Sequence, residues 1–142
     1  MLVTKKLTKT YDRQQTKFDA VHEVDFSLDA GQLCALTGPS GCGKSTFFHL
    51  ISGLTHADSG EILFEGKDLC KLSAKEWTHL RATQISYVLQ GDSLLPNFTV
   101  LENICLPHRL CGEYPDLEKQ AMQLLEEFGS DGAGLSDQPF RR

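Results

Sequence analysis

The chain has 142 residues, the length of one ordinary domain, and 40% of them are hydrophobic, which supports a packed core rather than disorder. Its 19 acidic residues against 14 Lys and Arg give a net charge of −5, which argues against a nucleic-acid partner, since such surfaces cluster cations to neutralise phosphates. No apolar run approaches the roughly 20 residues that span a bilayer, and "MLVTKKLTKTY" at the start lacks the apolar centre of a signal peptide, so any membrane role is peripheral. The five cysteines (Cys34, Cys42, Cys70, Cys105, Cys111) are scattered without a C-x-x-C spacing, and the five histidines follow no metal-ligand pattern. Neither a disulfide framework nor a zinc site is indicated, and a reducing cytoplasm is the simplest home.

In chain order, residues 2 to 11 and 21 to 28 alternate as strands, most clearly in "VHEVDFSL", and the polar "DRQQTKFD" between them predicts a hairpin loop. "GQLCALTG" reads as a short buried strand and "KSTFFHLIS" as a helix closed by Gly53. "DSGEILFEGKDL" predicts a strand with a turn at Gly66, Lys67 and Asp68. Ser73 with Glu76 forms a capping-box pattern opening a helix over "AKEWTHLRAT", and "QISYVLQ" follows as an apolar strand ending on Gln90. A second capping-box pattern, Thr99 with Glu102, opens a helix through "VLENICLPHRL" that Pro107 should end or kink. In "PDLEKQAMQLLEEF", Leu117, Ala121, Leu124, Leu125 and Phe128 share one helical face, with Gly129 as the stop and a loop-like tail after it.

Between the expected strand and helix, "TGPSGCGKST" fits G-x-x-x-x-G-K-[ST], with Gly38 opening the pattern and Gly43, Lys44 and Ser45 closing it. Glycines at Gly38, Gly41 and Gly43 let successive backbone N–H groups curl around an anion, through the variable positions Pro39, Ser40 and Cys42, and the helix N-terminus adds unpaired donors and a positive dipole end. Lys44 is expected at the β/γ-phosphates, the Ser45 hydroxyl on Mg²⁺, and Thr46 at the α-phosphate. Cys42 reads as tolerated rather than catalytic.

The P-loop followed by "DSGEILFEGKDL", "LR", "ISYVLQ" and "LLPNFTVLENICLP" resembles the ATP-binding subunits of ABC transporters, within them the lipoprotein-releasing and macrolide-exporter type. The resemblance implies an α/β P-loop NTPase fold of the ABC ATPase type, partial over 1–142: an antiparallel β region (1–30), a core from P-loop to Q-loop (31–90) and the start of a helical subdomain (91–142). It makes Tyr11 the aromatic that stacks on adenine. It makes Gln90 the Q-loop glutamine that touches Mg²⁺ and the attacking water, so that Lys44 and Gln90 carry the catalytic roles present here. Leu94, Leu95 and Phe98 become candidates for contact with a membrane subunit. ATP and Mg²⁺ are the implied cofactors. Transmembrane permease subunits and a second ATP-binding subunit are the implied partners, on the cytoplasmic face of the membrane.

The family's LSGGQ signature, catalytic Glu and switch His do not appear; "LSDQ" at 135–138 and "LLEE" at 124–127 only imitate parts of them. The expectation is therefore an N-terminal portion that binds nucleotide without turning it over alone, the full-length form hydrolysing ATP to power export or lipoprotein release. A short non-hydrolysing nucleotide- or partner-binding protein is the alternative, and a P-loop kinase or GTPase a third reading without its own markers. In the family's sheet the strands leading into the P-loop and the Q-loop are separated by later strands, so "CALT" and "ISYV" are expected to lack ladder partners here.

Overall fold

The computed structural model describes residues 1–13, 16–91, 93–112 and 114–128, and the chain divides into two compact units, Met1–Arg81 and Ala82–Arg142. In the first, β1 (Leu2–Arg13) and β2 (Thr16–Leu28) form a long antiparallel ribbon whose register runs from Leu2↔Leu28 to Arg13↔Thr16. β3 (Ser59–Phe64) pairs antiparallel with the other edge of β1, and the two-residue β4 (Lys67–Asp68) turns back on β3, giving the order β2-β1-β3-β4. The strands thus reach well into the segment expected as a polar loop. Their outer ends are held by cross-strand pairs of mixed chemistry, the Thr10 hydroxyl donating to Asp19 Oδ1 at 2.7 Å and Tyr11 pairing with Phe18, so no plain apolar alternation marks them. The β3–β4 turn also falls earlier than expected, at Glu65–Gly66.

Two helices belong to this unit. α1 (Lys44–Ile51) buries Phe47 and Leu50, with the Phe47 ring edge-on to Phe26 of β2 at 5.5 Å. A 3₁₀ turn at Leu69–Lys71 leads to α2 (Ala74–Thr83), which buries Trp77 and Leu80. The expected capping box is present: Ser73 N–H and Oγ donate to Glu76 Oε2 at 2.9 and 2.8 Å, and Glu76 N–H returns to Ser73 Oγ at 3.3 Å. α1 stops where the sequence indicated. Gly53 has φ +68°, and a Cβ there would lie 2.3 Å from the Trp77 ring, while Arg81 Nη1 donates to the Gly53 carbonyl at 3.0 Å. A residue without a Cβ is required both by the backbone angle and by the indole seated over it.

Neither of the two expected apolar strands forms. Residues 32–39 and 85–89 carry no strand structure, and their side chains are largely open, with Leu33 100% and Val88 89% exposed. An apolar run becomes a strand only by pairing, and among the described residues neither segment has a ladder partner.

The second unit contains α3 (Val100–Cys111) and α4 (Leu117–Glu127), which pack on each other and bury Cys105, Ala121 and Leu125. The Thr99–Glu102 capping box is complete. Pro107 does not end α3, which runs on to Cys111; its missing N–H costs one bond while the cap and the packing hold the rest. Arg109 pairs with Glu118 across the two helices. The buried face of α4 is narrower than its periodicity implied, since Leu124 and Phe128 are exposed. The expected stop at Gly129 and the imitation signature at 135–138 lie outside the described residues.

Candidate functional site

The loop from Gly38 to Gly43 wraps from the exposed segment into α1. A turn bond from Cys42 N–H to the Pro39 carbonyl (3.4 Å) closes its middle, and Gly43 enters the helix with φ +95°. A Cβ on Gly43 would sit 1.9 Å from the Ala20 carbonyl and 3.7 Å from Val21 Cγ2, so the absence of a side chain lets the loop lie directly on β2. A Cβ on Gly38 would lie 2.7 Å from Cys42 Sγ, which keeps the two ends of the loop close.

Lys44 folds back into this loop. Its Nζ donates to the carbonyls of Gly38 and Pro39, both at 2.7 Å, and lies 3.6 Å from Cys42 Sγ. The ammonium is thereby fixed at the concave side of the loop. The N-terminus of α1 has no side-chain cap and no acidic residue in its first turn, so its leading N–H groups are neither satisfied by a side chain nor opposed by a carboxylate. Uncapped donors, a positive dipole end and a fixed cation together form an anion cradle, and these residues fit a polyphosphate. Ser45 is exposed beside it. An open cavity of about 300 Å³ adjoins the loop, lined among others by Val21, Phe26, Leu36, Thr37, Cys42 and Lys44.

Tyr11 lies at the outer end of the β1–β2 ribbon, opposite Phe18, with ring centroids 6.0 Å apart and planes at 37°. Lys9 Nζ stands 5.6 Å from the Tyr11 centroid and is held by Asp58 Oδ1 at 2.8 Å. The Asp58 carboxyl is held below its usual range, first by the hydrogen bond from Lys9 and then by the Thr10 N–H. Gln90 belongs to the second unit, on an exposed bend that follows residues 85–89. Leu94 and Leu95 are each 41% exposed, while Phe98 is half-buried.

One organising residue escaped the sequence reading. The Asn103 side chain accepts from Leu95 N–H at 2.7 Å and donates to the carbonyls of Leu95, Phe98 and Thr99 at 3.1, 3.2 and 2.9 Å. It therefore fixes the loop that presents Leu94 and Leu95. Its signal was available: an asparagine, poor in helix interiors, placed in the first turn just after a cap, where it can bond backward.

An antiparallel ribbon packed beside a glycine loop that opens an uncapped helix and encloses a lysine defines a P-loop nucleotide-binding domain. The sequence profile of the ABC transporter family matches residues 21–141, and the chain belongs to that family. Among solved structures it resembles a dimeric post-hydrolysis form of the ATP-binding cassette MJ0796 bound to ADP and phosphate, at 29% identity and TM-score 0.86 over 98% of this chain and 62% of that one. It matches a second dimeric structure of MJ0796, described as a bacterial ABC transporter cassette, at 27% identity and TM-score 0.86 over 98% of this chain and 61% of that one. A nucleotide-free ATP-binding cassette from an ABC transporter follows at 28% identity and TM-score 0.75, over 98% of this chain and 57% of that one. The chain thus spans about six tenths of the length of each.

Proposed function

We propose that this chain binds Mg²⁺ and ATP as the ATP-binding part of an ABC transporter. The carrying observation is the Lys44 ammonium, fixed by two loop carbonyls at 2.7 Å beside the uncapped start of α1. In this reading the N–H groups of Gly41 to Thr46 hold the phosphate oxygens, and Gly38, Pro39, Ser40, Gly41, Cys42 and Gly43 form the wall around them. Lys44 offsets charge at the β- and γ-phosphates, and Thr46 supports the α-phosphate. Ser45 would hold Mg²⁺, which would offset phosphate charge there, and the resemblance gives Gln90, which belongs to the second unit, a metal-binding role as well. Tyr11 would stack on the base, and the resemblance gives Gln90 the role of orienting the attacking water.

In the larger assembly the chain would act at the cytoplasmic face of a membrane, beside a second ATP-binding subunit and against transmembrane permease subunits. Hydrolysis there would drive export or lipoprotein release. Support comes from family membership and from the dimeric cassettes that this chain resembles. Leu94 and Leu95, held outward by the Asn103 clasp, are the candidate permease contacts. Among the described residues no helix is long and apolar enough to cross a membrane.

The test is titration with a fluorescent ATP analogue. The parent chain should saturate in Mg²⁺, and Lys44→Ala should lose binding by at least about a hundredfold, since charge-assisted hydrogen bonds to phosphate vanish with the ammonium. Equal binding by parent and Lys44→Ala would refute the assignment.

A further inference from the structure

We propose that Phe18 is a second base-contacting residue, forming with Tyr11 a two-ring platform for the adenine; the inference rests on the P-loop reading above. Its basis is the face of the ribbon on which these side chains fall. Lys9 pairs with Val21 and Tyr11 with Phe18, while the register shifts between Lys9 and Thr10 so that Ala20 is left over as a bulge. Lys9 and Tyr11, two apart on β1, share a face, which the ammonium 5.6 Å from the Tyr11 centroid corroborates. Their partners Val21 and Phe18 share it too.

That face is the one turned to the phosphate loop, because Val21 Cγ2 lies 3.7 Å from the Cβ position of Gly43. From Val21 to Phe18 is three residues along β2, about 10 Å at the strand rise, which leaves room for a sugar between phosphates on the loop and a base on the rings. The opposite face at this level is closed by the Thr10–Asp19 hydrogen bond of 2.7 Å.

The two rings are also left open. Phe18 is 46% and Tyr11 36% exposed although they touch each other, so their mutual contact covers only part of either ring. Lys9, tied to Asp58, steadies Tyr11 from one flank, and Phe18 stands across the strand on the other. With planes inclined at 37°, a base stacked parallel to Tyr11 lies tilted by the same angle to the Phe18 ring and meets it obliquely. No side chain with a fixed donor and acceptor pattern is needed for such a platform, since every base offers a π-face.

The experiment is calorimetric titration of the full chain with Mg-ATP and, separately, with inorganic tripolyphosphate, which has the phosphates and no base. Phe18→Ala is expected to weaken ATP about fivefold to tenfold, less than the loss of a principal stacking ring, and to leave tripolyphosphate unchanged. Phe18→Tyr should restore ATP affinity, and Phe18→Leu, which keeps bulk without a ring, should not. ATP affinity unchanged in Phe18→Ala would overturn the proposal, and so would an equal loss for both ligands, which would make Phe18 a hairpin-packing residue. Failure of the underlying reading looks different: the parent would bind neither ligand, or Lys44→Ala would bind both as well as the parent.

Discussion

Gly53 shows how a single residue can be required twice. Its φ of +68° is costly for any residue with a Cβ, and that Cβ would meet the Trp77 ring at 2.3 Å. Gly53→Ala should therefore destabilise the chain by at least about 2 kcal/mol, from backbone strain plus displacement of a buried indole, as read by urea denaturation. A change within about 0.5 kcal/mol would contradict the packing described. Asp58 gives a pH signature. Its folded pKa is depressed below 3.8 by Lys9 and Thr10, so its contribution is fully present above that value and is lost as pH falls through the lower folded one. The melting temperature should fall as pH drops below 3.8 and through the lower folded value, and Asp58→Asn should flatten part of that decline. At this scale the glycine loop and the helix it opens were readable, because Gly38, Gly43 and Lys44 are marked by spacing alone. The Asn103 clasp was not, since it arises from hydrogen bonds that run backward to the loop before its helix.

At the scale of elements, legibility followed locality. α1, α2 and both capping boxes lie where the sequence placed them, because a helix satisfies its backbone within its own segment and its caps are three residues away. The segments 32–39 and 85–89 failed as strands for the complementary reason: their apolar composition was visible, but a ladder depends on a distant partner. The ribbon ends were missed in the opposite sense, polar and exposed yet paired. α3 supplies a quantitative check. Thr99→Ala should cost about 1 kcal/mol through loss of the cap, and Asn103→Ala should loosen the loop before it as well as the helix. Pro107→Ala should raise stability, because it returns an N–H to the helix interior. Denaturation midpoints of the three variants test the order, and a stabilised Thr99→Ala would refute the cap's role.

For the molecule as a whole, Leu33, Leu36, Val88 and Leu89 are open in segments without ladder pairing. Their amides should exchange rapidly with solvent, whereas those of Leu2–Thr4 and Ile62–Phe64, paired across β1 and β3, should be protected. Strong protection at 33–36 and 85–88 would mean that these segments pair in solution. Family membership was legible from the motif and its neighbours. The pairing state of the sheet was not, because it is a property of contacts between remote segments.

The central claim is that the loop from Gly38 to Thr46 is a phosphate cradle completed by Lys44. The most direct measurement is a residue-resolved NMR titration of the chain with Mg-ATP. The backbone amides of Gly41, Cys42, Gly43, Lys44, Ser45 and Thr46 should show the largest shifts, with smaller ones at Tyr11 and Phe18, and all should disappear in Lys44→Ala. Saturating Mg-ATP that left those six amides unmoved, or moved them equally in Lys44→Ala, would contradict it.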